Sequence, residues 1–204
     1  ADIYGPNQPH MLGEESKPDI TEGQFVPINS QGLHCMSMGF LVDRETPMIW
    51  RGPMITKALH QMLFQTKWPS LDYLLIDLPP GTGDLQLSLV KNVHLDGAIV
   101  VTTPQDIAAL DARKGLEMFK KVDIKILGVI ENMSTHTCSQ CGHTEAIFGQ
   151  DGGTTLAKQT QTELLGQLPL DINIRQACDN GQPLQISHPN HSALSAYAGM
   201  AEKI

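Results

Sequence analysis

The sequence predicts an α/β fold, a mostly parallel sheet flanked by helices on both faces. Two observations carry this. Three short runs, Tyr73 to Leu78, Gly97 to Thr102 and Ile124 to Ile130, are apolar, bounded by turn residues and separated by helical-looking segments. Strands that are apolar on both sides belong to parallel sheets covered by helices, and the strand-helix alternation fits right-handed crossovers.

The elements follow in order. Ala1 to Pro27 is rich in Pro, Gly and acidic residues and has neither period, which predicts a loop wrapping a surface or a ligand. His34 to Val42, apolar between Gly32 and Asp43, reads as a strand. From Pro53 the spacing of Ile55, Leu59, Met62 and Leu63 is helical, with Pro53 suited to the first turn. Between the second and third runs, Ala108, Ala112, Leu116 and Phe119 form one face of a helix with Lys114, Lys120 and Lys121 outside it. Leu164 to Leu168 reads as one more strand and Ala193 to Ile204 as a closing helix.

At 204 residues, 41% hydrophobic and 18% charged, the chain suits one well-buried core, so a single domain over 1–204 is expected. A formal charge of -8 with 14 Lys and Arg excludes a phosphate-neutralising surface, which argues against nucleic acid and anionic membranes. No apolar run has the length of a bilayer span, and a cytoplasmic protein is expected. Of four cysteines, Cys138 and Cys141 form a CxxC, a usage that points to metal or redox chemistry and not to a disulfide framework. Cys35 and Cys178 read as small buried or half-buried hydrophobes.

Two segments carry chemistry. LLIDLPPGTGD, Leu74 to Asp84, delivers Asp77 at the carboxyl end of a strand, where open α/β sheets bind ligands. A carboxylate there suits a hydrated magnesium, and Gly81 and Gly83 allow backbone amides close to a phosphate. Asp77 capping the next helix is the competing reading. The second segment is a knuckle over 136–143, in which two thiolates grip a metal from one tight turn and the Gly after Cys141 relieves the backbone. It supplies half of a four-ligand site. The rest could come from His136 or His143, from another subunit or from small molecules, with His136 and His143 read as solvated neighbours. A structural zinc knuckle and a thiol redox pair are the alternatives.

ADIYGPNQPHMLG at the start, LLIDLPPGTGD, GVIENM at Gly128 to Met133 and CSQCG at Cys138 to Gly142 together resemble the Mrp family, also called ApbC. These iron-sulfur cluster carriers are deviant P-loop ATPases of the MinD and ParA (SIMIBI) type. WRGPM at Trp50 to Met54, TTPQ at Thr102 to Gln105 and CDNGQP at Cys178 to Pro183 extend the resemblance along the chain. It implies that Asp2 is the second Asp of the DxD switch and Asp77 the magnesium-holding acid, the pair that would be catalytic. It implies that Pro79 and Gly81 lie in the γ-phosphate switch and that Asn132 reads adenine, with ATP and Mg bound by the complete protein. It further implies a homodimer through the CxxC region, in which Cys138 and Cys141 of each subunit bridge a 4Fe-4S cluster destined for apo iron-sulfur proteins. Gly5-Pro6-Asn7 departs mildly from the family's GPS.

The main departure is that no GxxxxGK followed by Ser or Thr occurs in the chain. The first strand and phosphate loop are therefore expected ahead of Ala1, in a longer parent, and the alternative is a natural carrier without the loop. By itself the chain is expected to bind ATP poorly and to hydrolyse it negligibly. Two other functions compete. A MinD- or ParA-like positioning ATPase would need a basic membrane helix, yet Lys203 is the only basic residue in Ala193 to Ile204. The other is a zinc-stabilised interaction module.

Overall fold

A computed structural model describes residues 7–42, 52–78 and 83–204. Asp2, Pro79 and Gly81 lie outside them. The chain groups into two compact units, one running up to Asn92 and joined by Ala177–Pro183, the other made of Val93–Gln176 and Leu184–Ile204.

The first unit begins with α1 (Gln8–Met11), the hairpin of β1 (Ile20–Thr21) with β2 (Gln24–Phe25), and that of β3 (Ile28–Ser30) with β4 (Leu33–Cys35). The expected N-terminal loop is thus interrupted by a helical turn and a hairpin, whose reversal uses Glu22 and Gly23 at positive φ. The expected strand from His34 to Val42 is also divided. It ends at Cys35, and Ser37 starts α2 (Met38–Leu41) by accepting the amide of Gly39 at 3.1 Å. A Ser that can cap a helix outcompetes strand formation in an apolar run too short to choose by itself. The reward is burial of Met38 and Phe40.

Next come α3 (Gly52–Phe64), which buries Ala58, Leu59 and Met62, and α4 (Asp84–Asn92), which packs on it. Thr66 Oγ1 and Trp68 Nε1 donate to the carbonyls of Met62 and Leu63, satisfying acceptors that the end of α3 leaves open. Tyr73 to Leu78 is not a strand. Tyr73 and Leu75 are 76% and 85% exposed, and no described strand runs beside them. An apolar run becomes a strand only where a neighbour supplies the matching donors and acceptors.

The second unit contains the sheet. β5 (Ala98–Thr102), β6 (Ile126–Glu131) and β9 (Leu164–Gln167) run parallel in the order β5-β6-β9. Between β5 and β6 lies α5 (Asp106–Lys121); between β6 and β9 come β7 (His136–Thr137), β8 (Thr144–Glu145) and α6 (Gly152–Thr160). After β9 follow α7 (Ile172–Asp179), which ends in the first unit, α8 (Leu184–Ser187) and α9 (Ala193–Ala201).

Successive residues of a strand point to opposite faces, and here both faces are covered. Val100 and Val129 pack with Leu116 of α5 and Leu156 and Ala157 of α6. Their neighbours Ile99 and Ile130, with Leu165, pack with Ala196 and Met200 of α9. Leu116 and Val129 are fully buried, each contributing roughly 1.5–3 kcal/mol relative to exposure. The parallel sheet between two helical layers is the fold expected from the apolar runs.

Candidate metal centre

The site grows from the carboxyl ends of β6 and β9. Glu131 closes the apolar run of β6 and is 1% exposed. Its carboxylate accepts the amide of Gly153, at the start of α6, and Gln167 Nε2 at 2.6 Å. A side chain at residue 153 would come within 2.7 Å of Glu131 Cβ, so only glycine allows this approach. Asn132 follows, its amide donating to Thr102 O at 2.7 Å and its Oδ1 accepting the amide of Met133 at 2.9 Å.

Beyond Asn132 the chain is laced to the segment after β9. Ser134 donates both its amide (2.9 Å) and its hydroxyl (3.1 Å) to Leu168 O, and the amide of Leu170 donates to Thr135 O at 2.8 Å. His136 pairs with Leu170 as a bridge, and its Nδ1 lies 3.1 Å from Leu170 O. A carbonyl can only accept, so Nδ1 carries the proton. This corrects the reading of His136 as a solvated neighbour: it is half-buried and engaged. His143 is exposed, as expected.

β7 and β8 form a two-rung hairpin, His136 opposite Glu145 and Thr137 opposite Thr144, with the two threonine hydroxyls 2.9 Å apart. The CxxC occupies its tip. The amide of Cys138 donates to His143 O at 2.8 Å and that of Gly142 to Cys138 O at 2.9 Å, closing a turn in which Gly142 has φ +71°. The turn brings Cys138 and Cys141 together. The amide of Cys141, then that of Gln140, and the Cys141 thiol hold the Cys138 thiol below its ordinary range, with the charge of Glu145 acting against them. Amides aimed at a sulfur favour the thiolate, the form that binds metal. Cys35 and Cys178 are half-buried, as expected, and burial pushes the Cys35 thiol up.

Among the described residues no three His, Cys, Asp or Glu side chains are grouped to hold one metal ion. Two soft donors on one exposed turn fit half of a four-thiolate site and not a complete one. Of the residues assigned to nucleotide, Asp77 is exposed in the first unit, and Asn132 stands at the root of the metal hairpin in the second.

A cleft of about 550 Å³ opens beside that root, lined by Glu131, Ser134, Thr135, Gln167, Pro169 and Ser192 among others. Glu131 and Gln167 escaped sequence reasoning. Their signal was a polar residue closing each of two apolar runs, ILGVIE and LLGQ.

Comparison with known proteins settles the lineage. The ParA family model described as NUBPL iron-transfer P-loop NTPase matches residues 1–204. The chain belongs to this family. Within it, the chain is 53% identical to an iron-sulfur cluster carrier protein of Pseudomonas fragi, over 98% of this chain and 71% of that protein. It is 52% identical to the protein of the same name from Escherichia coli K12, spanning all of this chain and 56% of the relative. With the mouse iron-sulfur cluster transfer protein NUBPL it shares 44%, over 64% of that protein's length. The chain thus spans from about half to under three-quarters of these relatives. A nucleotide-binding protein from Archaeoglobus fulgidus, solved with ADP and with cobalt detected, superposes with a TM-score of 0.75 at 32% identity, covering 89% of this chain and 72% of that one. The cell division ATPase MinD of Pyrococcus furiosus, 18% identical with a TM-score of 0.57 over 99% of this chain and 76% of its own, shares the fold.

Proposed function

We propose that this chain carries an iron-sulfur cluster as cargo on Cys138 and Cys141 and delivers it to apo iron-sulfur proteins. The knuckle supports this most directly: two thiols in one closed turn, with backbone amides on the sulfur of Cys138, at the exposed tip of a hairpin. The relatives named carrier and transfer proteins support the cargo's identity.

Since one copy offers two thiolates, a second copy facing it across a two-fold axis supplies the other two, and a 4Fe-4S cluster takes all four. Release is ligand exchange. A recipient's thiolate displaces Cys138 or Cys141 from iron, one Fe–S bond forms as another breaks, and no electron changes hands. Exposure of Cys141 is what admits the incoming thiolate.

Together with a phosphate loop, Asp2, Asp77, Pro79, Gly81 and Asn132 would bind ATP and magnesium, Asp2 and Asp77 serving hydrolysis and Asn132 the adenine edge. The ADP bound by the Archaeoglobus protein supports the nucleotide part. No described helix is long and apolar enough to cross a membrane. The reading as a cytoplasmic carrier that binds neither anionic membrane nor nucleic acid rests on the formal charge of -8 and the few basic residues.

Anaerobic reconstitution with iron and sulfide tests the reading. The wild type should take up four irons and four sulfides per two chains and gain the broad visible absorbance of a cluster, while Cys138→Ala and Cys141→Ala should take up little. Uptake of zinc alone, one ion per two chains, would mean the zinc-stabilised module instead.

A further inference from the structure

The hairpin that carries the thiols has little of its own to hold it in place. It has two rungs. Thr137, Thr144 and Glu145 are exposed, and only His136 among the residues of its strands is half-buried. A two-stranded hairpin without an apolar face is marginal in water, so its orientation depends on whatever anchors its base.

The anchor is visible. His136 is the first residue of β7, two before Cys138, and its Nδ1–H donates to Leu170 O while its backbone bridges Leu170. The carbonyl it grips is itself fixed, because the amide of the same Leu170 donates to Thr135 O and Leu168 O takes two bonds from Ser134. His136 is therefore the last rung between a rigid sheet edge and an exposed metal turn.

We propose that His136 is a positioning residue for the thiol pair: its Nδ1–H bond to Leu170 O sets the direction in which the hairpin presents Cys138 and Cys141. The proposal rests on the thiol-site reading above. Without the bond, the hairpin pivots about its root, and metal binding must freeze motion that the wild type has already lost. The imidazole acts through the hairpin and not as a ligand, in keeping with the lack of any three-donor group among the described residues. Partners that orient metal ligands from outside typically cost 10–100-fold in affinity when removed.

Anaerobic Co(II) titration of the 204-residue chain against a competing chelator tests this, because the visible bands of thiolate-bound cobalt report the ligand set as well as the affinity. His136→Ala should bind cobalt 10–100-fold more weakly, with bands at the wild-type positions. His136→Asn, whose side-chain amide can place a donor where Nδ1–H stood, should recover most of the affinity. His136→Gln carries its donor one bond too far and should behave like the alanine variant, so the comparison of Asn with Gln decides the matter even if His136→Ala does not fold. The proposal is overturned if the Asn and Gln variants bind alike, or if bands shift in every variant, which would make His136 a ligand. A wild type that binds no cobalt, or binds it equally well as Cys138→Ala, would sink the thiol-site reading and this inference with it.

Discussion

Glu131 shows how much can depend on one buried carboxylate. It ends β6, ties Gly153 at the start of α6 to Gln167 at the end of β9, and stands next to Asn132. A charge-assisted bond is worth roughly 1.5–3 kcal/mol, and a buried donor left unpaired costs a similar amount. Glu131→Ala, which strands the buried amide of Gly153 while the exposed Gln167 amide can turn to water, should lower the unfolding free energy in urea by roughly 2–3 kcal/mol. Glu131→Gln should cost only about 1 kcal/mol, because the Gln167 amide can turn over and accept while Gly153 keeps its acceptor. Equal losses for the two variants would show that the carboxylate's charge, and not the volume and acceptor that glutamine keeps, is what matters there. The thiols were legible in the sequence because CxxCG is a local pattern whose chemistry needs nothing beyond one turn. Glu131 and His136 were not, because their roles are defined by Gly153, Gln167 and Leu170, partners 22 to 36 residues away.

At the level of elements, the runs at Gly97 to Thr102, Ile124 to Ile130 and Leu164 to Leu168 read correctly to within two residues at either end, since they pair with one another and pack under helices, β6 in the middle on both faces, although Val101 of β5 stays exposed. Tyr73 to Leu78 is a similar apolar run with no strand beside it among the described residues, and composition cannot report a neighbour. His34 to Val42 was misread because one cap at Ser37 outweighs the apolar pattern. Capping also sets up the closing helix, by an unusual donor-acceptor chain. His191 Nδ1 accepts the amide of Ala193 at 3.2 Å, which leaves the ring proton on Nε2, 3.3 Å from Asp171 Oδ2; Asp171 Oδ1 in turn accepts the amide of Asn173 in α7. One imidazole thereby joins the start of α9 to the start of α7. Losing a cap typically costs about 1 kcal/mol, so His191→Ala should destabilise the fold by that amount. Hydrogen exchange should locate the loss, with faster exchange in the first turn of α9 and little change in β5 or β6; uniform acceleration would contradict a local cap.

For the whole molecule, the net charge and the exposed hairpin together constrain how two copies can meet. Each chain carries a formal charge of -8, so approach is opposed at low salt. The surface proposed to join them is a hairpin whose only half-buried strand residue is His136, and it offers little apolar area to offset that repulsion. Interfaces that persist without a bridging group usually bury on the order of 1,200–2,000 Å². The cluster–thiolate bonds are then what hold the pair, and the dimer should exist only when loaded. Light scattering should give the mass of one chain for the metal-free protein, twice that after anaerobic reconstitution, and one chain again after chelation of the iron. Cys141→Ala should stay at the single-chain mass throughout, and moderate salt should favour the loaded pair by screening like charges. A metal-free dimer that survives both chelation and the Cys141→Ala substitution would place the subunit interface elsewhere on the surface and leave each CxxC to find its remaining ligands by another route.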